Sequence, residues 1–432
     1  MTTSVSGLVS GMDTSALVSQ LMQVEAAGQT RLKSKVSTEE KAVTAYQSVN
    51  TKLAAIKTAA DDLGKLATWR SAKATSSSSS VTATTASGNT TQTGAVTFDV
   101  ISLAKSQVST TRAVSTGDAT SQSSITITKG DGTQSSVDVS ADRSLAGIAS
   151  AINGAGLGIK ATVVALEGGE SVLQMSSTKP GLANGFTIDG GFDTDIKTPT
   201  AASDAKLQVG GADADGGFAV TSSSNTFGNL ITGTSITVTK EGETGVTVDV
   251  ASDTSAITAK VKSLVDAMNG TFSEIGKQTA YNSSNKGSAA LTGDFAVRQI
   301  SQRLLGTVSG GLDNFGSLSK LGISLTRDGT VSFDEAKFKN TYEADPDAIK
   351  TATTAYATGV KELADRSQTG VTDVINGRKS LIDDMNDQIS NWDIRLATRK
   401  KTALTRQFAN LETSLSSMKN QSNWLAGQLA GL

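Results

Sequence analysis

Leu404–Leu432 reads LTRQFANLETSLSSMKNQSNWLAGQLAGL. Within it Leu404, Phe408, Leu411, Leu415, Met418, Leu425, Leu429 and Leu432 recur at steps of three, four or seven, and Ser422 fills the gap. On a helix these positions form one continuous apolar stripe, the pattern of a coiled-coil seam or of an amphipathic helix that needs a partner. Thr, Ser, Asn, Gln and a few charges occupy the other faces, so the stripe is the only cohesive surface. It reaches the last residue with no cap. An unsupported helix of this kind is marginal in water, because nucleation is costly and only one face can be buried. Either an intrachain bundle or another subunit must cover the stripe, and both readings stand at this point.

Working outward, Ile382, Met385, Ile389, Trp392 and Leu396 lead into the stripe. A second set of stripes lies at the other end of the chain. Asp13 or Thr14 is placed to cap a helix carrying Leu17, Leu21 and Val24; Gly28 weakens it. Val36, Val43, Tyr46, Leu53, Ile56, Ala60 and Leu63 follow at helical spacing, with an end expected near Gly64 to Trp69. Residues 1–12 show no clear period and predict no fixed structure on their own.

The texture between these ends is different. Thr75 to Thr93 is almost wholly Ser, Thr, Ala and Gly, and reads as a linker with weak extended segments. Val96, Phe98 and Val100 alternate as in a half-buried strand. Ile125–Thr128 and Val137–Val139 flank Lys129-Gly130-Asp131-Gly132 as a hairpin. Ser144 caps a short helix through Leu145, Ile148 and Ile152 that ends at Asn153-Gly154. Ile159–Leu166 pairs with Val172–Met175, and further strands are expected at Leu207–Val209, Ile236–Val238 and Val246–Val250. The helical period returns with Ile257, Val261, Leu264, Val265 and Met268. It continues with Phe295, Val297, Ile300, Leu304 and Leu305. A hairpin tip at Arg327-Asp328-Gly329 and a helix start at Asp345-Pro346-Asp347 complete the pattern.

The expected fold class is α+β: a helical, coiled-coil-like domain formed by both chain termini, with β-rich lobes inserted between them. Residues 1–35 form a terminal segment that is mobile when unassembled, and 36–72 the N-terminal helix of the helical domain. Residues 73–120, 121–200 and 201–252 are the first, outer and returning parts of the β-rich lobes, the outer part with its short helix. Residues 253–414 are the helical domain with a small hairpin, and 415–432 are an assembly helix, also mobile in isolated subunits. Val43–Leu63 is expected to pack against Ile382–Leu415.

Composition excludes much chemistry. The chain of 432 residues has no Cys and no His. Disulfides, thiolate nucleophiles, Cys-based zinc or iron–sulfur sites, a Ser-His-Asp triad and an HExxH zinc site are therefore unavailable. A formal net charge of -2 gives no nucleic-acid or membrane-surface footprint. No apolar run approaches a membrane span. The first Lys or Arg is Arg31, which predicts no cleaved secretory signal. Asp189, Asp193 and Asp195, or Asp213 and Asp215, lack the alternating ligand set and distal Glu of a calcium loop, and read as turn residues. Gly154, Gly156 and Gly158 follow a helix and precede a strand, the reverse of a phosphate loop. Arg395, Arg399, Lys400, Lys401 and Arg406 could meet an acidic partner, but Asp383, Asp384, Asp387 and Asp393 balance them as a solvated face. No catalytic, cofactor or metal site is expected.

The chain also resembles a known family. Ser6-Gly7-Leu8, Gly11-Met12-Asp13 and Leu17-Val18-Ser19-Gln20-Leu21-Met22 are similar to the N-terminal signature of the flagellar hook-associated protein 2 family, the filament cap proteins. Phe98-Asp99-Val100 with Leu103-Ala104-Lys105-Ser106-Gln107 resembles its first β segment, and Leu145–Asn153, with Ile152-Asn153, its hook "IN" element. Gly287–Arg298 around Leu291-Thr292-Gly293-Asp294 is similar to its "L-x-GD" region. Gly322-Ile323, Asp328-Gly329 and Phe333-Asp334 resemble its hairpin, and Phe408, Leu411-Glu412, Met418 and Leu425 its C-terminal helix. The family often has Pro near Gly28 to Thr30, and this chain has none there.

The resemblance implies a non-enzymatic, cofactor-free protein exported through the flagellar secretion apparatus to the distal filament tip. The implied partners are flagellin, further copies of the chain in a ring-like homo-oligomer, the hook–filament junction proteins and an export chaperone, with no nucleic acid and no membrane. Leu17, Leu21, Val24, Leu404, Phe408, Leu411, Leu415, Met418, Leu425 and Leu429 are the expected partner-binding residues. Two other classes remain open: another axial flagellar component, and a carboxylate-only cell-wall glycosidase, for which no aromatic platform accompanies any acidic pair.

Overall fold

The computed structural model describes residues 13–86, 91–191, 196–211, 216–228, 230–282, 287–313 and 315–429. Its helices are α1 (Thr14–Glu25), α2 (Ala27–Gly64), α3 (Leu66–Trp69), α4 (Leu145–Gly154), α5 (Thr254–Thr279), α6 (Phe295–Ser309), α7 (Glu335–Ala344), α8 (Pro346–Ile394) and α9 (Lys401–Leu429). A π-helical segment, Arg395–Lys400, joins α8 to α9. The chain divides into a helical unit, residues 1–65 and 258–432, and a β-rich unit, residues 66–257. The architecture is α+β.

In the helical unit α2 and α8 run antiparallel. Arg378 bonds Glu39, Asn50 Nδ2 donates to Thr372 Oγ1 at 3.3 Å, Lys57 Nζ meets Asp365 at 2.5 Å, and Lys361 Nζ meets Asp61 at 2.5 Å. These pairs are largely exposed and contribute little, but they fix the register. Cohesion comes from the stripe, where Val43, Tyr46, Val49, Leu53, Ile56 and Leu63 are buried against the partner helix. The segment opposite Val43–Leu63 is 354–378 rather than Ile382–Leu415. The reason is length: α8 starts at Pro346, so its first half lies level with that part of α2. Asp345 and Pro346 start α8 as capping chemistry requires, with Asp345 accepting from the Ala348 N–H.

α6 and α7 pack against α8, the Ile323–Leu325/Val331–Phe333 hairpin packs against α6, and the Tyr356 hydroxyl of α8 lies 3.5 Å from Met268 Sδ of α5; Leu264, Met268, Leu304, Ile323, Phe338 and Tyr356 are all buried. Asn269 holds the hairpin by donating to Val331 O at 2.7 Å and accepting from Val331 N at 2.8 Å. The Leu291–Asp294 element has a physical task here. Leu291 is buried, Gly293 takes φ 85°, and Asp294 caps α6 by accepting from Val297 N at 3.2 Å. The second oxygen of Asp294 accepts from the Tyr46 hydroxyl, whose ring lies 5.3 Å from the Arg378 guanidinium. Burial first, then the bond to Asp294 and its charge, push the Tyr46 hydroxyl up to about 12.

The β-rich unit has two cores. Its chain runs through β1 (Ala72–Ser76), β2 (Val81–Thr85), β3 (Gly94–Ser102) and β4 (Val108–Thr110), then β5 (Ser124–Lys129), β6 (Gln134–Asp138), α4, β7 (Ile159–Ala165), β8 (Ser171–Ser177), β9 (Phe186–Asp189) and β10 (Lys197–Thr200). It returns through β11 (Ala205–Val209), β12 (Phe218–Ser222), β13 (Thr226–Gly228), β14 (Thr234–Val238) and β15 (Val246–Ser252). Antiparallel sheets β1-β15-β3-β11-β12 and β13-β14-β2 enclose Val81, Phe98, Leu207, Ile236 and Val248. Sheets β10-β4-β8-β7 and β6-β5-β9, with α4, enclose Ile125, Ile148, Ile152, Leu173 and Phe186. Gln107 is buried, donating to Phe186 O at 2.6 Å and accepting from Phe186 N at 3.0 Å.

One expectation changes here. Thr75 to Thr93 is not a linker throughout: β1 pairs with β15, and β2 with β14, from Ala72 to Thr85. Thr is β-branched and suits a pleated surface, and the single Val81 supplies the core contact. Ile236–Val238 and Val246–Val250, adjacent in sequence, lie in different sheets. The expected hairpins at residues 125–139 and 159–175 form as paired strands. β7 is an outer strand, and Asn153 of α4 closes part of its free edge. The Asn153 amide donates to Ala161 O at 2.8 Å and accepts from Ala161 N at 2.9 Å.

Candidate assembly surface

The stripe that begins at Leu404 lies on α9, and no described α9 residue is buried. Leu404, Phe408 and Leu415 are half-buried, whereas Leu411 is 43%, Met418 57%, Leu425 54% and Leu429 69% exposed. On α1, Leu17 is half-buried, while Leu21 is 41% and Val24 74% exposed. α1 packs along the first part of α9, because Glu25 at the end of α1 meets Lys400 Nζ at 3.0 Å where α9 begins. The chain thus brings Leu17, Leu404, Phe408 and Leu415 into partial cover and leaves Leu21, Val24, Leu411, Met418, Leu425 and Leu429 open. Residues 1–12, with their expected lack of fixed structure, and Leu432 lie outside the described residues.

The junction beneath this pair is tightly fitted. Gln29 Nε2 donates to Asp393 Oδ1 at 2.6 Å and to Ile389 O at 3.3 Å. A Cβ on Gly28 would sit 3.0 Å from the Trp392 ring, so the absent side chain lets that ring close on α2. The Arg395 guanidinium lies over the Trp392 ring, 4.7 Å from its centroid. Lys400 on Glu25, Arg395 on Trp392 and Asp393 on Gln29 are engaged within the chain, and Asp383, Asp384, Asp387, Lys401 and Arg406 are exposed. That favours a solvated helix face over an acidic-partner site.

Among the described residues no group of three or more His, Cys, Asp or Glu side chains could hold a metal ion. Asp189 ends β9; Asp193, Asp195, Asp213 and Asp215 lie outside the described residues. Gly156 and Gly158 take φ 63° and 75° in the turn from α4 to β7, where Gly158 O accepts from Thr178 N. That accounts for the glycines as turn residues. No described helix is long and apolar enough to cross a membrane.

The sequence reading missed one feature of this surface, the π-helical segment. Its signal was present: Leu396 to Leu404 is a step of eight, where the stripes on either side repeat every seven.

The model described as "Flagellar hook-associated protein 2 C-terminus" matches residues 202–420, half of the chain, and its N-terminal counterpart matches residues 10–107. The "Flagellin hook IN motif" model matches residues 124–179, which contain α4 and Asn153. Flagellar hook-associated protein 2 of Escherichia coli is 28% identical over 470 residues, covering 98% of this chain and 97% of that one. The lateral flagellar hook-associated protein 2 of Vibrio parahaemolyticus is 31% identical over 42% of each chain. A crystal structure of three domains of the Escherichia coli flagellar cap protein covers 78% of this chain and 99% of its own, with a TM-score of 0.56. At 24% identity that likeness speaks for the fold. The matched models span both helical ends and the β-rich unit between them, and the chain belongs to the flagellar hook-associated protein 2 family.

Proposed function

We propose that this chain is the structural cap at the distal end of the bacterial flagellar filament, where it promotes folding and insertion of exported flagellin and prevents its loss. The role is non-enzymatic and needs no cofactor. The observation that carries it is the open stripe of α9: a helix with no buried residue among those described, yet with apolar side chains along one face, interrupted at Ser422. Such a helix gains most of its stability from a neighbour. The neighbours in this reading are further copies of the chain in a ring-like homo-oligomer, with the hook–filament junction proteins and an export chaperone meeting it before or during assembly. The protein acts outside the cell, reaching the tip through the flagellar secretion apparatus without a cleaved signal peptide.

A cap must stay at the tip yet step round as each subunit is added. A seam of many small apolar contacts suits both demands better than one fixed bond. Leu17, Leu21, Val24, Leu404, Phe408, Leu411, Leu415, Met418, Leu425 and Leu429 are the residues assigned to it. Charged residues at Leu411, Leu415 and Met418 would remove the contacts and force ions into a dry seam. Cells carrying that variant are expected to export it, release monomeric flagellin into the medium and grow short filaments or none. Normal filaments without leakage would overturn the proposal.

A further inference from the structure

The four-stranded sheet β10-β4-β8-β7 has two outer strands, and they are finished differently. β10 reads Lys197-Thr198-Pro199-Thr200 and meets β4 with a shift in register. A lysine, a proline and an irregular register are common protection for a strand edge. β7 is protected only at its start, where Lys160 lies and where Asn153 takes both backbone groups of Ala161. Past that level the strand reads Thr162-Val163-Val164-Ala165, all exposed, with no charge and no proline.

The bonds at either end of β7 show which backbone groups point outward. Thr178 N donates to Gly158 O, and Leu166 N donates to Glu170 O. Both bonds continue the β7–β8 register, so even-numbered residues of β7 bond β8 and odd-numbered ones face away. Asn153 on Ala161 obeys the same alternation. Val163 and Ala165 therefore turn their N–H and C=O outward, where they meet no partner among the described residues.

These open groups are spaced evenly about Val164. Two copies of the strand, laid antiparallel with Val164 opposite Val164, would set Val163 of each opposite Ala165 of the other. Four hydrogen bonds would then use all eight open groups. Sliding the register one way sets the occupied Ala161 opposite Ala165, and sliding it the other way sets Val163 opposite Glu167 in the turn. The charges agree with this direction. β7 starts at Lys160 and the turn after it holds Glu167 and Glu170, so each basic start would meet the other copy's acidic turn.

We propose that the Val163–Ala165 edge of β7 is an interface for a second copy of this chain, paired strand to strand about a twofold axis at Val164. Such a contact is self-complementary and closes on itself. It is separate from the α9 stripe and holds whether or not the chain caps a filament.

Two residues per strand make a weak contact, which a covalent trap can capture. The chain has no cysteine, so Val164→Cys, Thr162→Cys and Leu166→Cys each give a single thiol in the full-length protein. The two copies of Val164 would form a non-hydrogen-bonded pair with Cα atoms about 4.5 Å apart, within reach of a disulfide. The two copies of Thr162 would lie four residues apart along the pair, about 13 Å, which is out of reach. In air with a copper catalyst, Val164→Cys should form disulfide-linked dimer several-fold faster than Thr162→Cys or Leu166→Cys alone. A mixture of Thr162→Cys and Leu166→Cys should link one to the other, since those positions face across the pair. Lys160→Glu should slow linking at Val164→Cys several-fold, and adding Glu167→Lys should restore it. Equal rates at the three positions, or a mixture that links no faster than either variant alone, would overturn the proposal. The same results are what an edge reserved for an extended segment of another protein would give.

Discussion

Tyr46→Phe removes one hydroxyl and little else from the centre of the helical unit. The aromatic ring stays beneath the Arg378 guanidinium, and Asp294 still caps α6 through the oxygen that accepts from Val297 N. What disappears is the donor to the other Asp294 oxygen, at a position where Tyr46 is 2% exposed. A hydrogen bond to a charged group contributes about 1.5–3 kcal/mol, and Asp294 is half-buried, so water reaches part of the carboxylate and the lower end applies. The expected loss is about 1.5 kcal/mol for Tyr46→Phe. Asp294→Ala should lose about 1 kcal/mol more, because the helix cap goes with it. Adding Tyr46→Phe to Asp294→Ala should then cost almost nothing, the mark of a coupled pair.

The pH dependence has a definite sign. The folded hydroxyl titrates at about 12, above an unfolded tyrosine at about 10. Its contribution is therefore full below about pH 10 and is lost as pH rises through about 12. Urea unfolding of the natural chain and Tyr46→Phe, followed by helical signal across that range, should show a gap that closes at the alkaline end. A gap under about 0.5 kcal/mol at neutral pH, or one that persists unchanged above pH 12, would refute the coupling.

Glutamate at Leu411 and Met418 should shift the unfolding of monomeric protein by no more than about 0.5 kcal/mol, since neither is buried there, while lowering self-association in sedimentation. Equal damage to the monomer would mark the stripe as intrachain core. Amides at 415–429 should exchange faster than those of α2 and α8 in a monomeric sample; equal protection would contradict this. Gly370→Ala, with nothing within 4 Å of the new methyl, should raise stability by about 0.8 kcal/mol in thermal melts, whereas Gly28→Ala should gain less or lose, because the Trp392 ring must yield. Asn153→Ala should cost about 1–3 kcal/mol in the β-rich unit by leaving the Ala161 groups without their partner.

Much of this molecule could be read before it was seen, and the limits are physical. Apolar spacing located α2, α5, α6, α8 and α9, because a helix face must repeat every three or four residues whatever it packs against. Asp294 and Asp345 were legible as helix starts for the same local reason. The partnership of Tyr46 with Asp294 was not, since it joins residues 248 apart in sequence. Strands β1 and β2 were hidden because each shows little apolar alternation; their place is decided by β15 and β14, far along the chain. On the candidate surface, the stripe was visible, but its division into half-covered Phe408 and open Leu411 was not, since that depends on how α1, from the other end of the chain, lies along α9.

Asn153 leaves a different kind of consequence. By filling the hydrogen-bonding groups of Ala161 it acts as a stand-in neighbour for an outer strand, and it does so only at that level. Beyond it Val163 and Val164 are exposed along the same strand, and Leu166 just past its end. A bare strand edge is a template on which any extended chain can add itself, and addition can repeat without end. On the proposed role, this lobe works in the presence of polypeptides that have not yet folded, the population most able to extend such a template. The amide therefore acts as a local stopper against runaway growth, and its loss should be felt in crowded samples as precipitation before it is felt in dilute ones as unfolding.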